Sequence, residues 1–239
     1  MSELAVAVSA QIAMRKRMET TAQNIANINT AGYRGAGVKF EAVLAKAGDT
    51  SVAYSSSGDT YITRQTGQIS HTGNSLDVAI DGDGWFGLSS PKGLVYSRDG
   101  RFHMTDLGEL QSVNGYPVVD IGGSPIVVDP SAGPIKISES GTISQAGRQL
   151  GALGLFLVPA DAKLSRYDNS AVISRKPVEP VEDRTASSVR QGYIEGSNVN
   201  PILEITRLIE LSRCFEGAET AMQNSDEAAR EAIRTLAPG

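Results

Sequence analysis

At 239 residues the chain is long enough for one sizeable core, and its net charge of −5 with no long Lys or Arg run carries no nucleic-acid footprint. Aromatic residues make up 5% of it and glycines number 25, which suits a turn-rich β protein with a modest core. Cys214 is the only cysteine, excluding an intrachain disulfide and a cysteine-rich zinc site; inside a helical pattern it reads as a packed small apolar residue.

Residues 3 to about 28 read as one helix, rich in Ala, Met, Gln and Arg, with Leu4, Val8, Ile12, Met14, Met18, Ala22 and Ile25 as its apolar face. The run Asn27-Ile28-Asn29-Thr30-Ala31-Gly32 stops it, Gly32 supplying the C-cap. Glu3 ahead of the apolar stretch and Arg15-Lys16-Arg17 behind it argue against a cleaved signal peptide. Those three basic residues read as a solvated face or as the partner of an acidic neighbour. Residues 33–72 thin out into an extended connector, with Val38–Leu44 as a short ordered piece and Ser55–Gly58 as a flexible joint.

From Gly73 the pattern becomes a meander. Leu76–Ile80, Trp85–Leu88, Leu94–Ser97, Arg101–Met104 and Tyr116–Val119 are short runs punctuated by Asp-Gly, Pro-Lys-Gly and Asn-Gly turns, the rhythm of an antiparallel sheet. It continues through Ile135–Ile137, Thr142–Ser144 and Leu153–Val158, and decays after Val158 into the Pro-rich connector 176–180. The longest nearly apolar stretch, 150–160, is broken by Gly151 and Gly154 and is too short to span a bilayer.

Asn200 is a good N-cap, Pro201 suits the first helical position, and Glu204 favours the positive helix terminus. The helix then runs to about Leu236. Leu208, Phe215, Met222, Ala229 and Leu236 recur every seven residues, and Ile205 and Ile233 lie on an interleaved row with Ser212, Glu219 and Asp226. Ordering some sixty helical residues costs on the order of 1–2 kcal/mol each, and one seam with many small residues returns too little alone. The remaining burial is expected from neighbouring subunits. The residues assigned to that assembly surface are Leu4, Val8, Ile12, Met18, Ile25, Ile205, Leu208, Phe215, Met222, Ala229, Ile233 and Leu236. Head-to-tail contacts that do not close would build a helical tube, and a four-helix dimer would satisfy the same pattern.

Chemistry finds little foothold. Gly82-Asp83-Gly84-Trp85-Phe86-Gly87 fits GxGxxG in form, but strands flank it on both sides, so it reads as a structural turn. Asp81 and Asp83 resemble the start of a calcium loop whose twelfth position would be Lys92 instead of Glu. His71 and His103 are far apart in sequence, and no nucleophile elbow is present. No catalytic residue, metal site or cofactor is assigned, and the chain is expected not to be an enzyme. Trp85 reads as an anchor of the sheet core.

Four runs carry a family resemblance. Gln23 to Tyr33, with Asn24, Ala26, Asn27, Asn29, Gly32 and Tyr33, resembles the signature at the head of bacterial flagellar rod and hook proteins, Ala31 standing where a proline is usual. Gly73 to Phe86, with Gly73, Asn74, Asp81, Gly82 and Gly84, is similar to a second family segment, and Tyr96 to Phe102 to a third. Gln191 to Pro201, with Gly192, Asn198, Asn200 and Pro201, resembles the opening of the family's C-terminal helix. Within that family the chain looks like a proximal rod subunit, with a distal rod or hook subunit as the alternative.

The resemblance implies a structural subunit that assembles with other rod proteins into the periplasmic drive shaft. It also implies export by the flagellar type III apparatus without a cleaved signal, with the terminal helices as the tube's inner layer. The expected fold is α+β: long N- and C-terminal helices paired as a coiled-coil-like stalk, and a central, mainly antiparallel β domain. The expected boundaries are 1–32 for the first axial helix, 33–72 for the connector, 73–186 for the β domain and 187–239 for the second connector and helix. A soluble β-domain binder or enzyme with a dimerisation stalk is the reading from another class.

Overall fold

A computed structural model describes residues 2–47, 50–56, 58–181 and 187–236; the side chains of residues 2–6, 42–47, 50–55, 225, 226, 229 and 233 fall outside it. The expectations for Leu4, Ala229 and Ile233, and for Ser57 in the proposed joint, therefore lie outside the described residues. The chain forms two compact units. One comprises Met1–Ala26, Ala36–Tyr61 and Asn200–Gly239, the other Asn27–Gly35 and Ile62–Val199.

The first unit contains both long helices. Helix α1 runs Ser2–Ala26 and helix α2 runs Pro201–Leu236, about 37 Å and 54 Å at 1.5 Å per residue. Asn200 caps α2: its Oδ1 accepts the backbone N–H of Ile202 at 3.1 Å and of Leu203 at 3.2 Å, so Pro201 occupies the first position, where no N–H is needed. The two helices pack against each other, and α1 also meets the strands Ala36–Lys39 and Thr50–Ser55. The strand Ala42–Ala47 pairs antiparallel with Thr50–Ser55, so part of the 33–72 segment is a hairpin where thin connector was expected.

The helix faces depart from the apolar reading. Among the described side chains of α1, Ala13, Thr20, Thr21 and Asn24 are buried, while Met14, Met18 and Ile25 are half-buried and Val8, Ile12 and Ala22 are exposed. Small and hydrogen-bonded side chains, not the largest hydrophobes, let the α1 backbone come close to its neighbours. On α2 the protected stripe is Glu204, Leu208, Leu211, Phe215, Ala218 and Met222, alternating by four and three residues. The row expected through Ile205 and Glu219 thus runs one residue earlier, through Glu204, Leu211 and Ala218, with Ser212 half-buried at its edge. Glu204 takes the inward place because Asn24 Nδ2 of α1 donates to its Oε2 at 3.1 Å and Arg207 Nη1 donates to its Oε1 at 2.6 Å. Cys214 falls off this stripe and is exposed, correcting the expectation that it is packed. Leu236 is also exposed.

The second unit is built on a six-stranded antiparallel sheet in the order Leu164–Arg166, Ala171–Ser174, Gly93–Ser97, Trp85–Ser90, Leu155–Leu157, Glu179–Pro180. Side chains alternate between faces along a strand, and here both faces are covered. Phe86, Val95, Leu155 and Ala171 join one core cluster with Val78, Ile80, Phe102, Ile143 and Leu153. Their neighbours Trp85, Tyr96, Phe156 and Val172 join a second cluster with Ile62, Val158 and Leu164. Order does not decay after Val158 as expected: Leu164–Arg166 and Ala171–Ser174 extend one side of the sheet, and the Pro-rich connector supplies its other edge. The strand Ser187–Gln191 pairs with Val78–Gly82, and Tyr193–Glu195 with Ile69–His71. Tyr116–Val119 joins the sheets only through isolated bridges. Replacing Phe86, fully buried and edge-on to Phe102 at 5.1 Å between ring centres, with alanine is expected to cost about 3–5 kcal/mol, read as a lowered urea midpoint.

Candidate functional site

The quoted runs, far apart in sequence, meet in the second unit around one carboxylate. Glu195 ends the strand Tyr193–Glu195 opposite Ile69. Its Oε1 accepts Nη2 of Arg34 at 2.7 Å and the N–H of Gly67 at 2.9 Å, and its Oε2 accepts Nε of Arg98 at 2.7 Å. The side chains of Arg34, Arg98 and Glu195 are only 2%, 2% and 1% exposed. Arg98 spends its remaining nitrogens on carbonyls: Nη1 donates to Gly84 at 2.6 Å and to Gly82 at 3.0 Å, and Nη2 to Ile80 at 3.2 Å. The Asp81-Gly82-Asp83-Gly84 turn is therefore held by its carbonyls from inside, and it links two strands, not a strand to a helix.

Arg34 is less well served. Its guanidinium lies 5.8 Å from the Trp85 ring, and its Nε and Nη1 have no hydrogen-bond partner. Unmatched buried donors cost about 1–3 kcal/mol each. Burial pushes the Arg34 pKa well below its ordinary value, to about 10, with the Glu195 charge pulling it back up. The group is protonated in folded and unfolded chains at neutral pH, so its desolvation cost is fully present there. Because the folded state releases the proton first, the penalty is relieved only as pH rises above about 10.

Backbone packing fixes the same junction. Gly32 has φ +65°, its N–H donates to the Glu195 carbonyl at 2.8 Å, and a Cβ there would sit 2.1 Å from the Asp99 nitrogen. A Cβ on Gly100 would lie 1.7 Å from the Val78 carbonyl oxygen. Both glycines are required by close approach. Tyr33 is fully buried with the Arg166 guanidinium 4.1 Å from its ring centre. Asn198 accepts the Gly35 N–H on Oδ1 at 2.7 Å, and its Nδ2 donates to Thr63 Oγ1 at 2.8 Å and Gln65 O at 2.7 Å. Nearby, Gly192 (φ +81°) donates its N–H to Asp77 O at 2.7 Å and accepts from Gly73 at 3.2 Å, while Asn74 Nδ2 reaches Asp77 Oδ1 at 3.2 Å. Asp81 lies apart from the cluster, paired with Arg190.

The first unit has its own polar joint. Asn24 closes a two-way bond with the Ala36 backbone, donating to its carbonyl and accepting its N–H at 2.9 Å each, besides the bond to Glu204. Ala26 and Asn29 are exposed, and Asn27 accepts the Thr30 N–H at 3.2 Å. Of the surface assigned to assembly, Leu208, Phe215, Met222, Met18 and Ile25 are half-buried, while Val8, Ile12, Ile205 and Leu236 are exposed. Ile202 and Ile209, not singled out from sequence, are 75% and 50% exposed and share a stripe with Ile205 about a third of a turn from the Glu204–Leu208–Leu211 face.

Among the described residues no group of three or more His, Cys, Asp or Glu could hold a metal, and no helix is long and apolar enough to cross a membrane. Three family descriptions match in order: "Flagella basal body rod protein" at residues 4–34, "Flagellar hook protein FlgE/F/G D1 domain" at 79–145, and "Flagellar basal body rod FlgEFG protein C-terminal" at 190–235. A flagellar basal-body rod protein FlgF of Mesorhizobium japonicum is 45% identical, covering 98% of this chain and 97% of its own length. The chain belongs to the flagellar basal-body rod protein family. It is a structural protein of the rod, not an enzyme. The FlgF of Rhizobium meliloti is 44% identical over 98% of the chain and 97% of its own length, and a FlgG of Agrobacterium fabrum 32% over 99% and 100%.

In this rod protein the Arg34–Glu195–Arg98 cluster escaped sequence reading because its members lie about sixty to a hundred and sixty residues apart. The available signal was a charged residue inside or directly after three of the quoted runs: Arg34, Arg98 and Glu195. Glu195→Gln keeps the shape but strands two guanidiniums, and a loss of about 3–5 kcal/mol is expected. An unfolding free energy from urea titration within about 1 kcal/mol of the parent would show the charge to be dispensable.

Proposed function

We propose that this chain is the proximal subunit of the flagellar rod, and that α1 and α2 pair as a coiled-coil-like stalk whose outer faces join neighbouring rod proteins and carry torque through the periplasm. The observation that carries this reading is the apolar stripe left unpartnered on the helices. Val8 and Ile12 on α1 and Ile202, Ile205 and Ile209 on α2 are 40–75% exposed, beside a face already occupied by helix packing. Burying such side chains returns about 1.5–3 kcal/mol each, which offsets the ordering cost of long helices. After Ile209 the stripe turns polar through Arg213 and Glu216, so the apolar contact is confined to the first turns of α2.

The FlgF-named relatives described above match at 45% and 44% identity and the FlgG-named one at 32%, which favours proximal over distal rod. Export through the flagellar type III apparatus without a cleaved signal belongs to the same reading. It is supported by Glu3 and the 15–17 basic cluster flanking the apolar face of the first helix.

Ile205→Asp with Ile209→Asp is expected to change monomer stability by less than about 0.5 kcal/mol per site, because both are exposed. The double variant should be exported yet non-motile, with rods absent from isolated basal bodies. Normal swimming with intact rods would remove this stripe from the assembly surface.

A further inference from the structure

We propose that a cavity in the second unit, beside the buried cluster, is a receptor for a single carboxylate group. The cavity measures about 280 Å³ and is lined by Arg34, Arg64, Arg98, Asp83 and Trp85, with the 157–160 segment as an apolar wall. Counting Glu195, three guanidiniums meet two carboxylates, an excess of one positive charge. Asp161, which also acts on Arg64, is already paired with Lys176.

The donors are unevenly spent. Every nitrogen of Arg98 is engaged, by Glu195 or by one of three carbonyls. Arg64 gives Nη1 to Val158 O at 2.9 Å, and Nη2 to Pro159 O at 2.8 Å and Ala162 O at 3.0 Å. Arg34, 2% exposed, keeps Nε and Nη1 without hydrogen-bond partners. A charged donor in low dielectric is matched best by one anionic acceptor. Its depressed pKa reflects the same under-compensation. A carboxylate suits the site better than a phosphate. The Trp85 ring with Leu157, Val158 and Pro159 accommodates a hydrocarbon stem, and Asp83 opposes a second negative charge.

The carboxylate can come from an acidic side chain of an adjoining subunit or from a small free acid, and the chemistry is shared. The receptor does not rest on the helix-stripe reading, because it is tested on the isolated chain. Trp85 is the only tryptophan in the sequence and lines the cavity, so its fluorescence reports occupancy. At constant ionic strength, sodium propionate should give a saturable change in Trp85 emission, and chloride a response at least tenfold weaker. Arg34→Lys, whose one ammonium is taken by Glu195, should weaken propionate at least tenfold while circular dichroism shows the sheet intact. Asp83→Asn, at an exposed rim position, should tighten it severalfold and serves if Arg34→Lys does not fold.

No saturable change, or one equalled by chloride (an adventitious ion only), would overturn the proposal. So would a change unaffected by folded Arg34→Lys or by Asp83→Asn. In assembled rods, emission already at the bound value and insensitive to propionate assigns the site to a neighbour's acidic side chain. Emission that still responds assigns it to a free carboxylate. Both outcomes support the receptor.

Discussion

The carboxylate of Glu195 holds the second unit to one arrangement. Two guanidiniums, from Arg34 and Arg98, converge on it at 2.7 Å each, and all three side chains are withdrawn from water. Such a cluster adds little net stability over a well-packed apolar core, since desolvation consumes most of the Coulombic gain. Its consequence is specificity. Once the charges are buried, only the register that brings positions 34, 98 and 195 together satisfies them, and the carbonyls of Ile80, Gly82 and Gly84 are fixed with them. The segment just after α1 and the segment just before α2 are thereby clamped within one body.

The first unit uses the same logic on a smaller scale. Asn24 joins α1 to α2 through Glu204 and to the strand Ala36–Lys39 through a paired backbone bond. A polar contact inside a helix seam costs stability relative to leucine but sets register, since a slide by one turn would leave it unmatched. With register set by polar groups, some of the large hydrophobes are free to face outward. Val8, Ile12, Ile202, Ile205 and Ile209 do so. This division suits an assembly subunit: small and polar residues set the close contacts of α1, Leu208, Leu211, Phe215 and Met222 line the α2 seam, and a separate apolar stripe remains for contact with other molecules.

Much of this was legible in the residues themselves. Both helices, the Asn200 cap and the hairpin of Trp85–Ser90 with Gly93–Ser97 are set by interactions within a few residues, and the four quoted runs identified the family. Gly32, read as the helix stop, lies six residues beyond the end of α1 and serves the close approach to Asp99 instead. The strands Leu164–Arg166, Ala171–Ser174 and Ser187–Gln191 were not legible: the first two are a short local hairpin that joins the sheet only through remote Gly93–Ser97, and the third pairs with remote Val78–Gly82. Nor was the α2 seam. Leu208, Phe215 and Met222 define one row, but whether Glu204 or Ile205 completes it depends on Asn24, 180 residues away.

The amino-acid sequence by itself determined helix extents, turns and kinship, since backbone preference, capping and glycine requirements act locally. Only the tertiary structure decided which helix face is spent on folding and which charges are buried together. Those outcomes depend on groups brought within a few ångströms by the chain's return, and a carboxylate such as Glu195 has no preferred cation until the fold delivers one.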